Sequence, residues 1–330
     1  MPRITLNKAN FFHNLDVIVK QAGSKEKIAL VLKDNAYGHG LIEMATLAKE
    51  YGITKAVVRL ESEAKAIEKL FGYILVLGDT PTTPGKNFLY TINDINAIKK
   101  FPAETEVELK VNTGMGRNGI SLLEVDEAID LIKKQGLILN AIFTHHSCAD
   151  ELNGNYELQK KRFELLKKRL PSSLHFHSCN SAALFREEDF CEDMARVGIA
   201  AYGCLEVPKT FNQYSFKPVL SLYASKNSTR MLDKNDCVGY GATFCSKESC
   251  VVSNYDFGYA DGFLRSCSNH YQTPQGVAIA GRISMDNSSF LSDEEELLIF
   301  HDARSVAKFA NTISYEILTS LKAHLQREIV

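Results

Sequence analysis

Ile28-Ala-Leu-Val-Leu-Lys33 is the stretch on which the fold turns, five apolar residues in a row closed by a lysine. So short an apolar run reads as a buried strand rather than a helix. Seven more such runs follow: Lys55–Leu60, Tyr73–Asp79, Phe88–Ile92, Glu106–Val111, Leu139–His145, Leu174–Cys179 and Met194–Gly203. Amphipathic segments separate most of them, among them Ile42–Tyr51, Glu61–Phe71, Ser121–Gln135 and Tyr156–Leu170. Strand–helix alternation implies parallel strands with helical crossovers. Eight such units predict a closed (β/α)8 TIM barrel, with a helix over Lys8–Gln21 ahead of its first strand.

After about Phe216 the pattern changes to short runs punctuated by turn signals, including Gly239-Tyr-Gly241 and Asp261-Gly262. This predicts a smaller, mostly β C-terminal domain. The expected division is a barrel over 8–216 and a β-rich domain over 217–330, with a strand within 1–7 pairing into the latter. Only Arg304–Arg327 returns to helical spacing. The 330 residues are 45% hydrophobic and 24% charged with a formal net charge of -2, so bulk electrostatics point to neither a nucleic-acid nor a membrane partner. The first twenty residues do not read as a signal peptide, and no window approaches a membrane span. Eight cysteines without a Cys-x-x-Cys pair predict reduced thiols and a cytoplasmic protein.

Barrel enzymes carry their chemistry at the C-terminal ends of the strands. Lys33, Lys110, His145, Asn180-Ser181 and Arg196 all fall at or near such ends, and five polar positions converging on one face mark an active site. A strand-end lysine can simply reach solvent. One directly behind five buried apolar residues is instead partly desolvated, which lowers its pKa and frees a nucleophilic amine. Gly198-Ile199 and Ser181 offer backbone and hydroxyl donors where barrels often bind phosphate, and Gly114-Met-Gly116 with Gly119 forms a tight turn or a close backbone approach. His145-His146 and His175-x-His177, with Lys110 as a bridging carbamate, would suit a metal-dependent hydrolase. That class places its His-x-His pair on the first strand and an aspartate after the last, where this chain has Lys33 and Arg196. No metal is therefore expected, and His175 and His177 are expected to face inward or to lie in the core.

Val31-Leu-Lys-Asp-Asn-Ala-Tyr-Gly-His-Gly40 and Leu109-Lys-Val-Asn-Thr-Gly-Met-Gly-Arg-Asn-Gly119 closely resemble motifs of the alanine racemases. So do Cys179-Asn-Ser-Ala-Ala183, Arg196-Val-Gly-Ile-Ala200, Val238-Gly-Tyr-Gly-Ala-Thr243, Gly258-Tyr-Ala-Asp-Gly262, Gly281-Arg-Ile-Ser-Met-Asp286 and Ser314-Tyr-Glu-Ile317, in the family's order across nearly the whole chain. The resemblance implies a homodimer with shared active sites, pyridoxal 5'-phosphate as cofactor and L-/D-alanine as substrate, with D-alanine supplied to the bacterial cell wall. It implies Lys33 as the cofactor-bearing lysine and one catalytic base, and Tyr240 from the partner subunit as the other. Tyr37, Ser181, Gly198, Ile199 and Tyr315 match phosphate-binding positions, with Asn180 beside them. Arg196 matches the partner of the pyridine nitrogen, Arg117 the arginine near the substrate carboxylate, and Tyr259 and Met285 the substrate entrance. His145 would orient Tyr240 through a chain to Arg196.

Lys33 and Tyr240 both normally titrate near 10, so both need lowering, and Arg117 and Arg196 are the available positive charges. Lys110 is expected to be carbamylated, because a cationic Lys110 would repel Arg117 whereas a carbamate would hold it. Two alternatives stand beside this reading: a racemase of serine or broader preference, and a non-catalytic pyridoxal-phosphate carrier, which would leave Tyr240 and Met285 without a role. The chain departs from the family pattern at Asp34, Asn112, His146 and Arg59, and in a short stretch from Gly78 to Glu106.

Overall fold

The first strand, β1 (Arg3–Leu6), does not join the barrel. The helix Lys8–Ala22 comes next, capped where the Asn7 side chain accepts from the Asn10 amide and ended by Gly23 at φ 85°. Its buried Phe11, Leu15, Ile18 and Ala22 recur three or four residues apart, the spacing of a single helical face. Eight parallel strands then follow: β2 (Ile28–Val31), β3 (Lys55–Val58), β4 (Tyr73–Val76), β5 (Phe88–Ile92), β6 (Glu106–Lys110), β7 (Ile138–Phe143), β8 (His175–His177) and β9 (Ala195–Val197). This computed structural model describes residues 2–211 and 214–330.

The sheet order is β8-β7-β6-β5-β4-β3-β2-β9, so the first barrel strand pairs the last, Leu30 opposite Val197. Between β8 and β9 the seam is closed by single backbone bonds, Arg196 to the Cys179 carbonyl at 2.9 Å and Asp193 to the Phe176 carbonyl at 3.3 Å. Alternation along the strands decides what fills the interior. Ala29, Val31, Val57, Leu75, Leu89, Phe143 and Met194 form one small cluster inside the ring, whereas Ile28 and Leu30 belong to the larger core under the helices. The expected fold, a (β/α)8 barrel with a smaller β domain, is the one observed. No helix links β4 to β5, where a loop crosses directly.

The second sheet is built on a long strand, β10 (Leu220–Leu232). A two-stranded hairpin of β11 (Cys237–Val238) and β12 (Phe244–Cys245) comes next, then β13 (Cys250–Tyr255), β14 (Ser288–Phe290), β15 (Glu296–Phe300) and β16 (Gln326–Ile329). The order is β14-β13-β10-β1-β16, with β15 also on β10. β1 runs antiparallel to β10 and parallel to β16, so both chain ends are woven into this sheet.

Two expectations are corrected here. Arg304–Arg327 is not helical throughout: helices cover Ala303–Ala310 and Ser314–Ser320, and the chain then extends into β16. The cysteines are not all reduced, because Cys237 and Cys245 face each other across β11 and β12 and are joined by a disulfide. Cross-strand neighbours are close enough for this without moving the backbone. Among the described residues, no helix is long and apolar enough to cross a membrane.

Candidate active site

Immediately after Leu32 the backbone turns the wrong way for L-residues. Asp34, Asn35, Ala36 and Tyr37 all have φ between 51° and 56°, one turn of left-handed helix beginning at Lys33. Such a conformation costs about 1–2 kcal/mol per residue, so it persists only where neighbours hold it. Here Glu63 binds the Asp34 amide at 2.7 Å, and Asn35 accepts from the Leu41 amide at 2.9 Å. The turn carries Lys33 and Tyr37 into the same space. Lys33 Nζ lies 3.3 Å from Asp34 Oδ2, and Arg59 Nη1 lies 3.3 Å from Asp34 Oδ1. The two departures Asp34 and Arg59 are thus partners of one another.

The space they face is a cavity of about 420 Å³ at the C-terminal mouth of the barrel. One end is a cradle of small groups. Ser181 Oγ accepts from the Gly198 amide at 3.1 Å, and a Cβ on Gly198 would come 2.8 Å from the Tyr37 hydroxyl. The Tyr37 ring sits 5.2 Å from that of Tyr202 and 5.7 Å from that of Tyr315. Burial raises the pKa of the Tyr37 and Tyr315 phenols, so both stay protonated hydroxyls. Asn180 caps the following helix through the Ala183 amide, and Ser181 Oγ at its start accepts from the Gly198 and Ala200 amides.

Arg196 on β9, Lys110 at the end of β6 and His145 just after β7 also line the cavity. Arg196 is 5% exposed and is held by the carbonyls of Thr144 at 2.7 Å and Ser178 at 3.1 Å. Burial first, then the cations Arg196, Lys110 and Arg117, depresses the His145 pKa, leaving a neutral ring. Burial followed by Arg196, Arg117 and Lys33 brings Lys110 down to about 8. Arg117 reaches the cavity from the loop after β6, where Gly114, Gly116 and Gly119 all have positive φ. Asn112 holds that loop by accepting from the Gly114 and Gly116 amides at 3.1 and 3.0 Å. Only acceptor oxygens are needed there, so asparagine does what aspartate would. His146 bonds Ser178 at 3.0 Å and packs on Tyr156.

The cavity therefore gathers Lys33, Tyr37, Lys110, Arg117, His145, Asn180, Ser181, Arg196, Gly198, Ile199 and Tyr315 from distant points of the chain. Four cations face one carboxylate, Asp34, which suits an anionic ligand. Tyr240, Tyr259 and Met285 are not among the lining residues; they lie on the second body, 68%, 42% and 55% exposed in the single chain. His175 is not a core residue: it is exposed beside Asp193 at the far end of the barrel interior, where it lines a cavity with His177 and Glu108. His177 is buried as expected, and both its ring nitrogens are committed to protein partners. Among the described residues no group of three or more His, Cys, Asp or Glu is placed to hold a metal.

Sequence reasoning passed over Glu108, which is 1% exposed inside the barrel and bonds His177 at 2.9 Å. Its position two residues before Lys110 was the available signal, since alternation turns both inward.

Known proteins place the architecture. The family model described as alanine racemase, N-terminal domain matches residues 6–206, and the alanine racemase, C-terminal domain model matches 219–329. The alanine racemase of Nitratiruptor sp. is 41% identical over 338 residues, covering 99% of each chain. Among solved structures, an alanine racemase from Clostridium difficile superposes with a TM-score of 0.91 at 24% identity, over 100% of this chain and 95% of that one. A histidine racemase from Leuconostoc mesenteroides superposes at 0.88 with 26% identity, covering 100% and 98%. Two consecutive family domains and a relative aligned from end to end leave one assignment: the chain belongs to the alanine racemase family.

Proposed function

We propose that this chain interconverts L- and D-alanine by a two-base mechanism, with pyridoxal 5'-phosphate held at Lys33. The observation that carries the reading is a single cationic cavity in which a strand-end lysine, a cradle of small donors and a buried arginine meet. The residues fit the group: a Cβ on Gly198 would intrude on Tyr37, so the cradle is kept open for close approach, and Ser181, Gly198 and Ile199 with Tyr37 and Tyr315 would hold the phosphate. When bound to the substrate's amino group, the cofactor supplies the electron sink that makes the α-proton removable.

The chain's residues do the rest. Lys33 Nζ would move the proton at the α-carbon on one face, and Tyr240 of a second subunit the proton on the other. Arg196 offers only N–H donors, so it would hold the pyridine nitrogen as an unprotonated acceptor. Arg117 would bind the substrate carboxylate, held by a carbamylated Lys110; Tyr259 and Met285 would line the entrance; and a neutral His145 would orient Tyr240. The exposure of Tyr240, Tyr259 and Met285 in one chain supports a homodimer with shared sites.

The same reading assigns cofactor binding to 8–216, a β-rich domain to 217–330, and a cytoplasmic location in which D-alanine feeds the cell wall. Six free cysteines among the described residues support that location, and the exposed Cys237–Cys245 pair lies within reach of cytoplasmic thiols. A broader or serine-preferring racemase is the second reading, favoured by the fact that a protein named for histidine shares the architecture. Racemisation assays on L-alanine, L-serine and L-lysine decide between them. Alanine should turn over fastest, and a cofactor-loaded protein inert toward L-alanine would overturn the proposal.

A further inference from the structure

Beneath the cavity, the barrel interior holds a column of polar side chains of which the reaction above uses only Arg196. Arg196 Nη1 meets His177 Nδ1, and His177 Nε2 lies 2.9 Å from Glu108 Oε2. The Tyr73 hydroxyl bonds Glu108 Oε1. Glu108, His177 and Arg196 are all buried, and the column runs down to a second cavity of about 300 Å³ lined by Lys55, Glu106, His175 and Asp193. It therefore spans the ring from the active-site mouth toward the opposite end.

Hydrogen-bond chemistry fixes its polarity. A guanidinium only donates, so His177 Nδ1 must present a lone pair to Arg196. The ring proton then sits on Nε2 and is donated to Glu108. Tyr73 donates to the other carboxylate oxygen. Glu108 thus receives a donor on each oxygen, from His177 Nε2 and from the Tyr73 hydroxyl, and acts as a carboxylate. Burial by itself would raise its pKa, but His177, Tyr73 and Arg196 together hold it below the ordinary range, while burial lowers that of His177 and keeps the ring neutral. Lys55, whose charge also favours the ionised carboxylate, faces it from β3; Glu106, His175 and Asp193 are the other titratable groups at that end. A buried carboxylate behind an imidazole makes the far ring nitrogen a stronger acceptor and locks its tautomer.

We propose, on the reading above, that Glu108 is a positioning residue for the racemase: it fixes the His177 tautomer that holds Arg196, and it supplies the buried negative charge that offsets Arg196 beneath the site. Arg196 contributes to the lowered pKa of both Lys110 and His145, so the offset reaches the proton affinities of the reacting cavity.

The test uses the full chain loaded with pyridoxal phosphate. Glu108→Gln keeps an acceptor for His177 and a partner for Tyr73 but removes the charge. The pH profile of kcat, and independently the pH titration of the bound cofactor's absorbance, should both move to lower pH by about one unit, the effect of one partly screened charge. Glu108→Ala frees the ring to place its proton toward Arg196, and kcat should fall at least tenfold at every pH, whereas Glu108→Gln at its shifted optimum should not. Nitrogen-15 spectra of the wild-type protein should show His177 neutral and protonated at Nε2, a readout that needs no variant to fold. Profiles of Glu108→Gln that overlay the wild type, or a His177 protonated at Nδ1, would overturn the proposal. Absence of racemisation in the wild type would instead sink the functional reading while leaving the tautomer measurement valid.

Discussion

Lys110 offers the sharpest quantitative test. Its side chain is 9% exposed, and burial with three nearby cations brings its pKa down to about 8. At pH 7 about a tenth of such amines are neutral, against about one in three thousand at the usual value, a gain of roughly three-hundredfold. Only the neutral amine adds carbon dioxide: an N–C bond forms, one N–H proton leaves to solvent, and the product is an anion. That converts a positive charge to a negative one among Lys33, Arg117 and Arg196, so the cavity itself favours the product. Protein equilibrated with ¹³C-bicarbonate should give a protein-bound carbamate resonance that is missing from Lys110→Ala. Because deprotonation favours the adduct, the signal should grow as pH rises, with a midpoint at or below about 8. Lys110→Ala should be weakly active and partly rescued by acetate, which restores a carboxylate beside Arg117. No such resonance between pH 7 and 9, together with full activity in Lys110→Ala, would refute the reasoning.

Three more outcomes are expected. Inactive Lys33→Ala and inactive Tyr240→Phe, mixed under conditions of verified subunit exchange, should regain activity because one heterodimer site holds both intact residues; no recovery would argue against a shared site. Gly198→Ala places a methyl 2.8 Å from the Tyr37 hydroxyl, and Tyr37 is boxed in by Tyr202 and Tyr315, so the affinity for pyridoxal phosphate measured by equilibrium dialysis should drop at least tenfold. Cys237 and Cys245 close an eight-residue separation around Tyr240, a constraint worth about 2.5 kcal/mol of chain entropy. Cutting it with Cys237→Ser and Cys245→Ser should lower kcat and leave the absorbance of the bound cofactor unchanged; equal kcat would show that the hairpin holds Tyr240 without it.

Much of this was legible in one dimension. The eight barrel strands fall where short apolar runs were read, because burial of both faces of a parallel strand keeps the runs mostly apolar, with the few polar residues falling on the inner face. Lys33, Lys110, His145, Ser181 and Arg196 were visible as polar residues at or near the ends of such runs, and the cavity does collect them. The left-handed turn at Asp34–Tyr37 was not visible, since Ala36 and Tyr37 give no conformational hint of it: only Asp34 and Asn35 visit that region, normally as single residues, and Glu63 from another helix holds the turn in place. β16 was hidden too. Gln326-Arg-Glu-Ile has no apolar alternation, and it is a strand because it hydrogen-bonds Arg3–Leu6 at the other end of the chain.

The sequence by itself determined the barrel, the change to a β-rich remainder and the strand-end lysine that lines the cavity, because each is written in local runs of apolar residues and the polar residues that end them. Only the tertiary structure decided that Glu108 closes a hydrogen-bonded column with His177 and Arg196, that Asp34 pairs with Arg59, and that Cys237 meets Cys245. Those contacts join separate strands and loops. A charge or a thiol acquires its partner only when the backbone closes around it, and no local pattern records that distance.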